Sequence, residues 1–171
     1  MAMNPVIAYE KQLYFPTKKD YLVGRITHED NYLIWKYLYF LRREEAASNK
    51  LTAYYWRRRK NDLGARLGII IYAGCCGKGL RIWHYGSTII SGDAKLGENC
   101  TFHGQACIGN DGSGTDAPVI GNNVDIGVGA KVIGGITIAD GVKIGAGAVV
   151  TKSCQEPGAT LVGVPAKVIK P

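Results

Sequence analysis

Long apolar runs are missing from this chain of 171 residues. No stretch approaches the roughly 20 consecutive apolar residues that a membrane-crossing helix needs. The start, Met1-Ala2-Met3-Asn4-Pro5, has no basic segment leading into an apolar core. Neither a spanning helix nor a signal peptide is expected, and the cytoplasm is the expected compartment. Histidine is scarce, with three residues, and the five cysteines are an odd number without metal-ligand spacing. Reduced, mostly buried thiols and no metal site are expected. Glycine is nearly absent from the first 72 residues, which hold 3 of the 23, yet nine of the ten tyrosines lie there. Charge divides similarly: 13 Lys and Arg against 7 Asp and Glu up to Arg66, and 8 against 7 from Leu67 onward. Two kinds of structure share the chain, an N-terminal arm with helices over residues 1–72 and a glycine-rich region over residues 73–171.

The second region is organised by a period of six. Ile120, Ile126, Val132, Ile138, Ile144 and Val150 mark it, and Val124, Ala130, Ile136, Val142, Ala148 and Cys154 keep step four residues after each. No amphipathic helix has that period. A six-residue unit is a short strand plus a turn, too small to bury its own aliphatic side chain, but stacked units bury theirs together. Three units per turn place each aliphatic residue over the one eighteen positions earlier, about 4.8 Å away. The same frame runs backwards from Ile108 through Phe102, Leu96 and Ile90 to His84. It lapses over residues 109–119, where Gly109-Asn110-Asp111-Gly112-Ser113-Gly114 has the composition of an extruded loop. Gly163-Val164-Pro165-Ala166-Lys167 is expected to close the coil.

Before the coil, Met1 to Ile26 shows no sustained period and reads as an extended or loosely helical arm. Thr27 and Asp30 resemble a capping box that starts a helix over residues 29–47. Ser48-Asn49 offers a second cap, for a helix from Lys50 to Arg66 that ends near Gly64 and Gly68. The first helix is apolar almost all round from Tyr32 to Leu41, so it is expected to pack on the second helix, the coil or another subunit. Arg42-Arg43 and Arg57-Arg58-Arg59-Lys60, beside Tyr54, Tyr55 and Trp56, also suit peripheral contact with an anionic membrane surface at its inner face, at about 1 kcal/mol per basic residue. No pattern for nucleic acid is present.

Two of the three histidines fall in the repeat. His84 and Phe102 are eighteen positions apart, so a regular coil brings His84 and His103 to one corner, beside the extruded loop. His28, at a helix start, reads as a surface residue. The pieces Ile120-Gly121-Asn122-Asn123-Val124-Asp125, Ile126-Gly127-Val128-Gly129-Ala130-Lys131 and Ile144-Gly145-Ala146-Gly147-Ala148-Val149 resemble the hexapeptide-repeat acyltransferases. Arg81-Ile82-Trp83-His84-Tyr85-Gly86, followed by Thr101-Phe102-His103-Gly104, is similar to the serine acetyltransferase branch, and especially to its short members of capsule and surface-polysaccharide synthesis. The resemblance implies a mainly β fold, a left-handed parallel β-helix of hexapeptide repeats with an N-terminal α-helical portion. It also implies acetyl-CoA as acyl donor and a homotrimer with grooves between subunits.

By that resemblance His84 falls at the catalytic base, with His103 as the second catalytic candidate and a possible oxyanion donor. A positioned histidine base contributes about 10² to 10⁴ in rate. Val128 and Ala146 match backbone positions along the pantetheine arm, Thr151 and Lys152 follow the last coil, and Lys167 and Lys170 meet the phosphates. Two departures bear on the acceptor. The Asp that precedes the branch's catalytic histidine is Trp83 here, and the loop carries Asp116-Ala117-Pro118 in place of an Arg-His pair. Trp83 and Tyr85 offer flat surfaces to a sugar ring, so a carbohydrate hydroxyl is expected ahead of L-serine. A non-catalytic scaffold is the competing class.

Overall fold

The computed structural model describes residues 4–169. Four helices, α1 (Pro5–Tyr14), α2 (Lys18–Thr27), α3 (Asp30–Glu45) and α4 (Lys50–Leu67), precede all the strands. Then come β1 (Ile69–Ile71), β2 (Arg81–Ile82), β3 (Thr88–Ile90), β4 (Lys95–Leu96), β5 (Thr101–Phe102), β6 (Cys107–Gly109) and β7 (Val119–Ile120). The remainder are β8 (Asp125–Ile126), β9 (Lys131–Ile133), β10 (Thr137–Ile138), β11 (Lys143–Ile144), β12 (Val149–Val150), β13 (Thr160–Gly163) and β14 (Ala166–Ile169).

The arm expected over residues 1–26 is instead two helices. Each has only ten residues, too short for a period to show, and each is started by local chemistry. Asn4 accepts from the Val6 N–H ahead of Pro5. Thr17 and Asp20 form the capping box of α2, each side chain accepting from the other's backbone N–H. Thr27 caps nothing: its hydroxyl donates back to the Val23 carbonyl, and α3 begins at Asp30 without a side-chain cap. Asn49 does cap α4, which ends on Gly68 in the left-handed region. The apolar girth of α3 is covered, with Tyr32, Ile34, Trp35, Tyr37, Leu38, Phe40 and Leu41 all buried.

The strands wind into a parallel coil of three sheets. The first stacks β1, β3, β6, β9 and β12, the second β4, β7 and β10, and the third β2, β5, β8, β11 and β13, with β14 antiparallel on the end. The chain visits third, first and second sheet in turn. Ile82, Phe102, Ile126, Ile144 and Leu161 stack inside the third sheet, and Ile90, Ile108, Val132 and Val150 inside the first, all nearly inaccessible. The coil includes β1, ahead of residue 73. The loop after Gly109 lengthens one turn from eighteen to twenty-four positions, as the pairs Thr101↔Asp125 and Asp125↔Lys143 show.

One part of the sequence frame does not survive. Ile82, not His84, pairs with Phe102 and points inward. The corner between β2 and β3 holds five residues, Trp83 to Ser87, and opens through Gly86 at φ 114 and Ser87 at φ 23. Two extra residues there displace His84 from the stack to the exposed corner.

The helices grip the first turn of the coil through buried polar groups. Arg42 pairs with Glu10 at 2.7 Å and donates to the carbonyls of Cys76 and Gly77 at 2.9 and 2.6 Å. Glu10 in turn accepts from the Gly79 N–H. Lys60 donates to the Ile71 carbonyl at 2.8 Å and pairs with Glu44, which also holds Arg57. Arg42 and Lys60 are therefore structural and absent from the basic surface expected to face a membrane; Arg43, Arg58 and Arg59 remain exposed. No described helix is long and apolar enough to cross a membrane. All five cysteines are free thiols, and burial pushes Cys100 up to about 11.

Arg42→Ala strands Glu10 in the interior and leaves two carbonyls bare, so unfolding free energy from urea titration should fall by about 3–5 kcal/mol. Gly64→Ala tests a closer balance. Alanine favours a helix by up to about 1 kcal/mol, but its Cβ would sit 2.5 Å from the Ile69 carbonyl oxygen and 2.9 Å from the Tyr37 ring. Overpacking against backbone costs about 1–3 kcal/mol, so a net loss is expected in the same titration.

Candidate functional site

Alternation along each short strand of the third sheet sends one residue in and its neighbours out. Outward residues of successive turns form columns. One column reads Arg81, Thr101, Asp125, Lys143 and Thr160; the next reads Trp83, His103, Gly127, Gly145 and Val162. One residue further, at the corner shared with the first sheet, stand His84, Gly104, Val128 and Ala146.

The two histidines thus share a corner, as expected, with His103 above Trp83 and His84 beneath Gly104. A Cβ on Gly104 would lie 3.1 Å from the His84 carbonyl oxygen and 3.4 Å from its Cβ, so glycine is what lets the coils close here. The extruded loop is elsewhere. It leaves β6 and enters β7, at the corner between the first and second sheets, so within one chain it does not flank the histidines.

His103 is held on two sides. Its Nε2 lies 2.7 Å from Asp125 Oδ1, and its ring stacks on Trp83 at 6.3 Å between centroids and 15° between planes. The Arg81 guanidinium lies 3.9 Å from the Trp83 centroid. His84 is exposed, and among the described residues its side chain has no hydrogen-bond partner. Trp83 and Tyr85 are each 40% exposed, and Trp83 is committed to this stack.

A trough of about 330 Å³ begins at His103 and Asp125 and runs past Gly127, Val128, Lys143, Gly145 and Ala146 to Thr160. It takes in Val128 and Ala146 of the expected donor-binding residues. Among the described residues, neither the Val128 nor the Ala146 N–H has a partner, and the Ala146 carbonyl has none either. Lys167 lies on β14 opposite Val162, at the trough's far end. Thr151 and Lys152 follow β12 at the loop corner instead, so one chain does not unite them with the rest. Lys170 falls outside the described residues. A larger hollow of about 540 Å³ between α4 and β1 contains none of the expected site residues.

Asp125, Lys143 and Arg81 were not singled out from the sequence. Their signal is the outward column: once the six extra loop residues are subtracted, Asp125 falls over Thr101, diagonal to His103. No group of three or more His, Cys, Asp or Glu suited to a metal occurs among the described residues.

No family model matches the chain. It is 37% identical over 127 residues to serine acetyltransferase of Helicobacter pylori strain 26695, covering 72% of this chain and 74% of that one. It is also 37% identical over 135 residues to serine acetyltransferase of Buchnera aphidicola, covering 71% of this chain and 51% of that relative. The Synechococcus elongatus serine acetyltransferase matches over 43% of its length, so the chain spans about half of these two relatives. Soybean serine acetyltransferase superposes with a TM-score of 0.72 at 27% identity, over 81% of this chain and 58% of that one. The Brucella abortus serine acetyltransferase in complex with coenzyme A gives 0.68 at 26%, over 96% and 66%. The coil is thus a left-handed parallel β-helix of hexapeptide repeats, and the chain belongs to the serine acetyltransferase family.

Proposed function

We propose that this chain is an acetyl-CoA-dependent O-acetyltransferase. The observation that carries this is the trough, which starts at the His103 imidazole and continues past the unpartnered N–H groups of Val128 and Ala146 and the unpartnered Ala146 carbonyl. Those N–H and C=O groups match the amides of a pantetheine arm, and the absence of side chains at Gly127 and Gly145 leaves the trough floor open. The Brucella abortus relative's complex with coenzyme A supports the same reading. When bound, acetyl-CoA supplies an electrophilic thioester carbonyl. The chain's part is to hold the acceptor hydroxyl and take its proton on an imidazole, His84 and His103 being the two groups for that work. Lys143 flanks the arm, and Lys167, with Lys170, meets the phosphates as point charges. A homotrimer completes the site: a neighbour's loop corner, with Thr151 and Lys152, closes the open side of the trough.

The relatives' names and the soybean relative's complex with serine support L-serine as the acceptor. A second reading, a sugar hydroxyl of a surface polysaccharide precursor, is favoured by the corner itself. Asp125, the carboxylate that lines the trough, is engaged with His103, and the residues on either side of His84, Trp83 and Tyr85, are exposed aromatics and not charged groups.

Loss of the thioester absorbance, which the protein's own thiols do not disturb, distinguishes the acceptors across L-serine, sugars and nucleotide sugars. His84→Ala and His103→Ala are compared on whichever acceptor turns over, and the one that removes the base should lower kcat by about 10²–10⁴. No coenzyme A binding by calorimetry overturns the assignment. Lys167→Ala should weaken coenzyme A about tenfold, equivalent to about 1.4 kcal/mol, and leave binding of free pantetheine unchanged.

A further inference from the structure

Helix α4 meets the rest of the chain through Lys60, Gly64 and Leu67, all buried. On its opposite side Leu51, Tyr54, Tyr55 and Arg58 follow one another at i, i+3, i+4 and i+7, the spacing of a single helix face. Leu51 is 83% exposed, Tyr54 63% and Tyr55 51%. The Tyr55 ring meets Trp56 at 4.9 Å between centroids, and Trp56 meets Tyr39 of α3 at 5.8 Å, so the surface continues across to α3. Two arginines lie on these rings. Arg43 Cζ is 4.8 Å from the Trp56 centroid, and Arg59 Cζ is 5.4 Å from that of Phe40. We propose that this face docks on a bilayer surface rich in anionic phospholipid, with Leu51, Tyr54 and Tyr55 entering the headgroup layer and Arg43, Arg58 and Arg59 meeting lipid phosphates. The proposal goes beyond the acetyltransferase reading and does not depend on it.

Subtracting the structural cations sharpens the case. Arg42, Lys60 and Arg57 are tied to Glu10 and Glu44. Arg43 and Arg59 are exposed, and among the described residues neither side chain has an ion pair or a hydrogen bond. Arg58 reaches Asp62 only at 4.0 Å, with both side chains mostly in solvent. A guanidinium laid on a ring has its plane fixed and its N–H edges free, which suits the oxygens of a phosphate. Tyrosine suits the same layer, since its ring is apolar and its hydroxyl stays in water.

The composition of the face selects among occupants. On α4 the exposed cations Lys50, Arg57, Arg58, Arg59 and Arg66 stand against one carboxylate, Asp62. The centre of an interface between proteins is depleted of charge, and a second copy of this face would set arginine against arginine. Nucleic-acid bases need open rings to stack on, and Trp56 already meets Tyr39, Phe40, Tyr55 and Arg43. A lipid surface asks for neither condition. Each basic residue close to an anionic leaflet raises partitioning about fivefold.

Flotation of the full-length protein with vesicles tests this, using phosphatidylcholine alone or mixed with phosphatidylglycerol. At about 0.1 M salt the protein should float with the mixed vesicles and not with the neutral ones, and about 1 M salt should release it. Arg43→Gln, Arg58→Gln and Arg59→Gln together should weaken partitioning about a hundredfold. Because Arg43 and Arg59 also pack on rings, Leu51→Ser with Tyr54→Ser is a second variant at well-exposed positions. It should lose about tenfold while melting by circular dichroism is unchanged. No flotation with the mixed vesicles, equal flotation with both kinds, or either variant within about threefold of wild type overturns the proposal. So does a fluorescent single-stranded oligonucleotide that binds in place of vesicles and is lost in the arginine variant, which makes the face a nucleic-acid surface. A changed oligomeric mass in the Leu51→Ser, Tyr54→Ser variant also overturns it, by assigning the face to a second copy.

Discussion

A unit of six residues cannot bury its own aliphatic side chain, and nearly everything else here follows from that. Each turn of the coil must lie directly on the next, so inward residues stack on inward residues and outward ones on outward ones. Function is then written vertically. His103 meets Trp83 below it and Asp125 diagonally above, residues twenty positions behind and twenty-two ahead, because all three project from one face of one sheet. The trough is the continuation of that column where side chains vanish at Gly127 and Gly145.

A stacked coil has two open ends, each a row of main-chain groups without a next turn. The helices are the solution at one end. Tyr14 accepts from the Ile82 N–H and donates to its carbonyl, and Tyr37 accepts from the Ile71 N–H. Lys60 meets the Ile71 carbonyl, Glu10 the Gly79 N–H, and Arg42 the carbonyls of Cys76 and Gly77. What composition shows as a basic, tyrosine-rich segment is in large part a set of side chains serving those groups. At the other end β14 turns back antiparallel on β13.

The repeat was legible because its period is unlike that of any helix and because Ile120 through Val150 keep it strictly. The loop and the closing segment were legible as departures from it. Less so was the corner at His84, where Gly86 and Ser87 absorb two residues and shift the frame. From counting alone His84 is inward, and in the structure it is exposed. Asp125 was hidden for the opposite reason, since its partner lies across a turn lengthened by the loop. Short helices such as α1 and α2 reveal themselves through caps, Asn4 and Thr17 with Asp20, more than through periodicity.

The lengthened turn carries a last consequence. Every strand pair that spans it, Lys95↔Val119, Thr101↔Asp125 and Cys107↔Lys131, is offset by the same twenty-four positions. The insertion therefore begins and ends at one corner, and all three sheets resume their stacking above it undisturbed. Loop length is a free variable of this architecture. Segments of other size and composition can be exchanged there while His103, Asp125 and the trough keep their places within the chain, which separates the part of the molecule that can diversify from the stacked turns that cannot.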